Sequence, residues 1–197
     1  MNRRAQAMRG YSLLECTVVL AIVGILLTVA IIGTSGMSQN VKADTAADTV
    51  LSQLRLARLA AVTQRRNVVV TVDTTFAAPD NAQHLLFQTV PLPGDAAQPA
   101  RSVAVPGGTQ FVLEPGVPDT PMQFGNSAAV CFAGASSGTT VMQFTPSGAF
   151  IDGNNNLLNG TIFIGVPNQS GTARAVTIMG GAGNIQRFSW TGSKWIK

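Results

Sequence analysis

The sequence predicts an α+β protein in which one long N-terminal helix packs on an antiparallel, β-rich head. No proline occurs before Pro79, so nothing interrupts a helical pattern that begins near Tyr11. After residues 64–67 this pattern is replaced by short β-branched segments, which Gly, Pro, Asn and Asp separate. Charged residues make up only 11% of the 197 residues, a composition that argues against disorder. We therefore expect one domain with a sizeable core and one additional element.

The first part of the predicted helix is apolar throughout. No charged residue interrupts the 17 positions from Cys16 to Ile32. About 20 residues span a bilayer, and Tyr11 to Ile32 is long enough. The basic residues before this run, Arg3, Arg4 and Arg9, would keep the N-terminus cytoplasmic. Without them the 13 basic residues fall to 10 against 9 acidic ones, so the net charge of +4 is weak evidence for a nucleic-acid partner.

Glu15 is the one carboxylate at the start of this apolar run. An ionised acid costs several kcal/mol in hydrocarbon, so it is a functional candidate by default. A secretory signal peptide cleaved near residues 34–36 and a plain single-span anchor both fit the apolar run. Neither interpretation accounts for the position of the acid.

The segment "RGYSLLE" (9–15) resembles the cleavage site of type IV prepilins. In that family a short basic leader ends in glycine, a large apolar or aromatic residue follows, and a glutamate occupies the fifth mature position; here these are Gly10, Tyr11 and Glu15. The resemblance implies that prepilin peptidase cuts after Gly10 and N-methylates Tyr11, where the family most often has Phe. It divides the chain into a leader (1–10), a transmembrane and assembly half of the helix (11–33) and a periplasmic head (34–197).

Cleavage would give Glu15 a partner, because it exposes a new ammonium on Tyr11. The acid lies four residues on, one helical turn away, and a buried charge is tolerable when it is paired. The pair would form within one chain or with the amine of a neighbouring subunit. The family resemblance implies that this contact registers an incoming subunit. The alternative is an acid that extends to the membrane interface.

The second half of the predicted helix is amphipathic and extends to about Thr63. Apolar residues recur at spacings of three and four from Val41 onward, which indicates a helix with one buried face. They are Ala47, Val50, Leu51, Leu54, Ala57 and Ala61.

Eight strand segments follow, mostly antiparallel because their links are short. They are 67–73, 84–90, 110–114, 129–133, 140–145, 161–166, 173–179 and 184–190. The stretch Pro91–Gly108 contains four prolines and is predicted to be a long irregular loop.

The head resembles the GspH/FimT family of minor pseudopilins and minor pilins. The resemblance depends on the order of three motifs: "MQFTPSGAF" (142–150), "NGTIFIGV" (159–166) and "ARAVTIMGGAGNIQRF" (173–188). It implies a type IV pilin-like fold. Many major pilins have a proline where Ile32 and Gly33 stand, and this departure favours a minor subunit.

No catalytic or metal-binding pattern emerges, so we expect neither an enzyme nor a cofactor or metal. His84 is the only histidine and is predicted to lie at a strand start. Cys16 and Cys131 are expected in different phases, which argues against a disulfide. Residues 152–156 faintly resemble a calcium loop, but Leu157 and Phe163 occupy its required Gly and Glu positions, and a turn is the better interpretation.

The C-terminal tail alternates basic and aromatic residues. Cations neutralise phosphates and aromatic faces stack on bases, so the tail is a candidate DNA contact. The residues concerned are Arg187, Lys194, Lys197, Trp190 and Trp195. Some FimT-like minor pilins are thought to bind DNA through a Gly-Arg-x-Arg stretch, and the segment Gly183–Arg187 lacks its first arginine. The alternative for the tail is a final strand whose tryptophans pack on the sheet. A second group of basic residues lies near the helix end and is predicted to form a solvated face: Arg55, Arg58, Arg65 and Arg66.

These observations predict a structural subunit of an envelope-spanning filament. The leading interpretation is a minor pseudopilin of type II secretion, inserted in the bacterial inner membrane with its head in the periplasm. The alternative is a FimT/FimU-like minor pilin of a type IV pilus, which would bind DNA in natural transformation. A secreted enzyme with an uncleaved anchor is the third, and no nucleophile–base pair supports it. The implied partners are other pilin or pseudopilin subunits, prepilin peptidase and the inner-membrane assembly platform.

Overall fold

The structure is a computed structural model that describes residues 13–77, 80–122, 125, 127–133 and 142–197, with the backbone alone at 26–38, 77 and 133. Its first element is the helix α1, Leu13–Gln64. The chain divides into two compact units, Met1–Ser38 and Gln39–Lys197. The second unit contains the C-terminal part of α1 together with the strands.

The helix ends close to the predicted Thr63. Arg65 adopts a left-handed backbone conformation with a φ of 53°, which terminates the helical hydrogen-bond pattern. The Arg66 N–H then donates to the Ala61 carbonyl oxygen at 3.2 Å. This closing turn directs the chain into the first strand.

The strands follow α1 in chain order. They are β1 (Val68–Ala77), β2 (Ala82–Thr89), β3 (Arg101–Ala104), β4 (Gln110–Phe111), β5 (Val130–Ala133), β6 (Met142–Phe144), β7 (Phe150–Asp152), β8 (Asn159–Gly165), β9 (Arg174–Met179), β10 (Asn184–Trp190) and β11 (Trp195–Ile196). Within the described residues they form two sheets, one in the order β3-β2-β1-β6-β7 and one in the order β11-β10-β9-β8-β4, where β5 also pairs with β8. The pairings between these strands are antiparallel. The predicted α+β class is confirmed.

The core lies between residues 43–61 of α1 and the two sheets. Alanines dominate the buried face of the helix, and their small side chains let its backbone approach the strands closely. The helix contributes Ala46, Ala47, Val50, Leu54, Ala57 and Ala61, while the largest buried side chains of the sheets include Phe144, Phe150, Leu85, Ile162, Ile164 and Ile178. The amphipathic pattern of the sequence therefore predicts the buried helix face correctly.

The irregular loop predicted for Pro91–Gly108 is wrong over four residues. Arg101–Ala104 form the edge strand β3, with Phe87 opposite Arg101 and His84 opposite Ala104. The segment has little intrinsic strand signal, and pairing with the neighbouring strand β2 determines its conformation. The strands β7 and β11 also lie outside the eight predicted segments.

Residues 145–148, which contain the Pro-x-Gly motif at 146–148, form a tight turn between β6 and β7. The Gly148 N–H donates to the Thr145 carbonyl oxygen at 2.8 Å, and Gly148 has a φ of 81°. A residue with a Cβ rarely adopts this conformation, so the turn favours glycine there. This turn brings the Gly148 carbonyl beside the helix, where it accepts a hydrogen bond from Arg58.

Candidate functional site

The N-terminal part of α1 presents an apolar surface to its surroundings. Every described side chain from residue 13 to residue 25 is exposed. Leu13 is 82% exposed, Leu20 69% and Ile25 66%. Exposed apolar side chains occur on all sides of this segment, since Leu13, Leu14, Val18, Val19, Leu20, Ile22, Val23 and Ile25 cover every helical direction. A surface of this kind indicates association with lipid or with other proteins.

Glu15 is the only charged residue on this surface. The sequence contains no other charge between Tyr11 and Val41. Its side chain is exposed and lines a shallow depression with Cys16, Val19 and Leu20. The carboxylate is therefore accessible to a cationic group that approaches from outside this helix.

The predicted cleavage and methylation positions, Gly10 and Tyr11, lie outside the described residues. So does the leader predicted at residues 1–10. Among the residues that the structure describes, no helix is both long enough and apolar enough to cross a membrane.

Two arginines from the second sheet fasten the helix to the head. Arg174 on β9 donates from Nε to Asp44 Oδ1 at 2.7 Å. Arg187 on β10 donates from Nη2 to the same Asp44 oxygen at 2.6 Å and from Nη1 to Asp48 Oδ1 at 2.6 Å. Arg174 also donates to the carbonyl oxygen of Ala173 at 3.0 Å, and its side chain is only 7% exposed. The cluster therefore fixes the first head-bound turns of α1 onto β9 and β10.

The cluster shifts the titration of Asp44. The hydrogen bond from Arg174 lowers the pKa of the Asp44 carboxyl below its ordinary value, partial burial opposes the shift, and the charges of Arg174 and Arg187 add to the lowering. Asp44 is consequently ionised in the folded chain at neutral pH, as its two ion pairs require.

This arrangement bears on the DNA contact predicted for the tail. The structure pairs the Arg187 charge with two carboxylates of its own chain, although its spacing in sequence places it among the tail cations. Trp195 Nε1 donates to the Pro118 carbonyl oxygen at 2.9 Å, and the Trp190 and Trp195 rings lie 5.4 Å apart. Lys197 Nζ lies 5.8 Å from the centre of the Phe188 ring, and Lys194 is exposed. The tail tryptophans thus pack on one another and on the head.

Replacing Arg187 by glutamine should therefore reduce stability. We expect Arg187→Gln to lower the free energy of unfolding by about 1 kcal/mol, because partly exposed ion pairs are worth roughly that amount. Lys194→Gln removes an equal charge from an exposed turn and should change it by less than about 0.5 kcal/mol. Denaturant unfolding of the full chain in detergent measures both values. Equal effects of the two substitutions would contradict a fastening role for Arg187.

The Arg187 effect should also depend on pH. Because the pKa of Asp44 is lower in the folded than in the unfolded chain, its ion pairs stabilise the fold fully above about pH 4. That contribution is lost as the pH falls through the folded-state pKa. The difference between wild type and Arg187→Gln should shrink over that range. A difference that persists unchanged in acid would contradict the ionic origin.

The arginines near the end of α1 are not simply the solvated face that the sequence predicts. Arg66 Nη2 lies 2.8 Å from Asp95 Oδ2. Arg58 is half-buried and donates from Nε to the Gly148 carbonyl oxygen at 3.0 Å and from Nη2 to the Ala182 carbonyl oxygen at 3.1 Å. The helical spacing of Arg55 and Arg58 reveals that they share one face, but the carbonyl groups that they contact lie about 90 to 130 residues away in sequence.

The remaining candidates for chemistry have structural partners. His84 lies near the start of β2, as predicted, and its Nε2 lies 3.1 Å from Asp80 Oδ2. Asp152 Oδ1 accepts the N–H groups of Asn154 and Asn156, each at 2.8 Å. These bonds form a turn. The pKa of the Asp152 carboxyl is lowered from its ordinary value, mainly by the hydrogen bond from the Asn156 side chain and further by the two backbone N–H groups. Across the described residues no group of three or more His, Cys, Asp or Glu side chains converges.

Comparison with known proteins finds similarity at low identity to solved structures. No family model matches the chain, and no curated protein matches it. Among solved structures, the chain is similar to the minor pseudopilin EpsH from the Type 2 Secretion System of Vibrio cholerae, with 13% identity and a TM-score of 0.47 over 75% of this chain and 97% of that one. It is also similar to the type IV minor pilin FimU of Pseudomonas aeruginosa, with 20% identity and a TM-score of 0.44 over 78% of this chain and 97% of that one.

Proposed function

We propose that this chain is a minor subunit of the GspH/FimT family, a structural component of a type II secretion pseudopilus. The observation that carries the proposal is the single carboxylate of Glu15 on an otherwise apolar, exposed helix surface. Cleavage after Gly10 would place an ammonium on Tyr11, one helical turn before that carboxylate. The chain would work by assembly, without catalysis.

The physical basis of assembly is the need to cover apolar surface. A subunit that leaves the membrane must bury its apolar helix against other helices, since water penalises the exposed surface. A stack of similar helices provides that cover. The ion pair between Glu15 and an incoming amine would then select one register among many similar apolar contacts. Before assembly, the run from Cys16 to Ile32 would hold the chain in the inner membrane with its head in the periplasm.

The head is the second part of the proposed mechanism. Its core and the Asp44–Arg174–Arg187 cluster hold residues 43–61 of α1 against both sheets. A minor pilin of a type IV pilus is the alternative setting for the same construction. Deletion of the gene discriminates between them: loss of protein secretion supports the pseudopilus, and loss of surface pili with normal secretion supports the pilus.

The state of the mature N-terminus tests the proposed function. Mass spectrometry of the chain purified from membranes should show a first residue of Tyr11 carrying a methyl group. The same chain from cells without prepilin peptidase should begin at Met1 and is the control. A wild-type membrane form that still begins at Met1, or one that begins beyond Gly36, would contradict the proposal.

A further inference from the structure

A basic groove lies between α1 and the turn that joins β9 to β10. It is open to solvent and has a volume of about 430 Å³. Its lining residues are Arg55, Arg58, Leu59, Val62, Gly183, Asn184 and Ile185. The groove thus combines two cations with two aliphatic side chains from the same helix.

The fold positions both guanidinium groups. Arg58 is held by the carbonyl oxygens of Gly148 and Ala182, and Arg55 Nη2 donates to the Ile185 carbonyl oxygen at 3.4 Å. Gly183 permits the close packing of this region, because a Cβ at that position would overlap the Gly148 carbonyl oxygen. Gly183 also has a φ of 56°, which favours glycine. Arg58 is therefore held in place before any ligand arrives, and Arg55, which is exposed, lies one helical turn away on the same face.

The charge of both guanidiniums is uncompensated within the described part of the chain. A guanidinium has five N–H donors, and the bonds above use two from Arg58 and one from Arg55. All of these acceptors are neutral carbonyls. Arg66, Arg174 and Arg187 by contrast each pair with a carboxylate. Arg55 and Arg58 consequently offer free donors and net positive charge to a ligand.

We propose that this groove binds an acidic segment of a neighbouring subunit. A carboxylate would accept N–H bonds from Arg55 and Arg58, whose planar guanidiniums match its geometry. An adjacent apolar residue would cover Leu59 and Val62, which are 57% and 43% exposed. The identity of the partner as a subunit rests on the proposed function; the preference for an acidic, partly apolar peptide rests on the groove itself.

The lining favours a peptide over nucleic acid. Binding along a phosphate backbone depends on cations that neutralise several phosphates, and single-strand binding adds aromatic faces for the bases. The groove supplies two arginines and aliphatic walls, and none of its lining residues is aromatic. One or two carboxylates beside an aliphatic side chain match this surface better.

A binding assay on the full chain in neutral detergent tests the proposal. The probe is a short fluorescent peptide of alternating Asp and Leu residues, followed by anisotropy at low salt. We expect Arg55→Gln to weaken binding about tenfold, the effect of losing a charged hydrogen-bonding partner. Arg101→Gln removes an equal charge from the exposed strand β3 and should change binding by less than about twofold. Arg58→Gln should weaken binding as Arg55→Gln does.

Four results would overturn the proposal. The first two are that the acidic peptide does not bind to wild type, or that a matched Asn-Leu peptide binds with equal affinity. The third is that Arg101→Gln weakens peptide binding as much as Arg55→Gln does. The fourth is that a single-stranded oligonucleotide displaces the peptide and its binding depends on Arg55. The assay contains no filament, so its outcome is separate from the N-terminal mass of the membrane form. A correct mass with no peptide binding refutes the groove alone. Peptide binding with an unprocessed N-terminus refutes the filament function, and with it the identity of the partner as a subunit, but leaves the preference of the groove for an acidic peptide.

Discussion

Replacing Glu15 by glutamine should leave the chain in the membrane and reduce its incorporation into filaments by at least about tenfold. Glutamine has nearly the shape of glutamate but no charge, so it cannot neutralise an incoming ammonium. Removing one partner of a buried ion pair costs about 3–5 kcal/mol, which exceeds a tenfold change in an equilibrium. The measurement is the fraction of processed chain that co-purifies with sheared filaments.

Two further substitutions separate charge from shape at this position. Glu15→Asp keeps the carboxylate on a shorter side chain and should retain part of the incorporation. Glu15→Val should insert at least as well as wild type, because an apolar side chain replaces a charged one in the membrane run, yet it should fail to incorporate. Normal incorporation of Glu15→Gln or of Glu15→Val would remove the role assigned to Glu15.

Truncation of Leu54 should strongly destabilise the head. This side chain is fully buried in the core cluster between α1 and the sheets. Leu54→Ala should lower the free energy of unfolding by about 2–5 kcal/mol, from lost apolar burial and the cavity left behind. Leu56→Ala is the matched control, because Leu56 is the same residue type two positions along and is 46% exposed.

Denaturant unfolding of the full chain in detergent, followed by tryptophan fluorescence, measures both leucine variants. The exposed substitution should change stability by less than about 1 kcal/mol. If both variants lose the same stability, the helix does not pack on the sheets through the face that contains Leu54.

The elements that could be predicted from sequence are those with a strong local signal. The buried helix face follows from apolar spacing between Ala47 and Ala61, and each of the eight predicted strand segments contains a strand. The edge strand β3 could not be predicted, since its conformation depends on pairing with β2 and not on its own residues. Local sequence patterns determine the α+β class, whereas strand pairing in the folded chain determines which segments form the sheet edges.

The candidate site divides in the same way. Glu15 could be identified from sequence because a lone acid in an apolar run is a local signal. The partners of Arg187 could not, since Asp44 and Asp48 lie about 140 residues earlier and no local pattern connects them. The groove at Arg55 and Arg58 was missed for the same reason, because its second wall comes from the turn between β9 and β10.

Photo-cross-linking from Val19 is the most direct test of the central claim that Glu15 docks each helix against its neighbour. Val19 lies one helical turn after Glu15, on the same face, and is 53% exposed. With a photoreactive residue in its place, we expect adducts with other filament subunits in the wild-type background, and their loss when Glu15→Gln is added. Adducts of equal yield in the two backgrounds would contradict it.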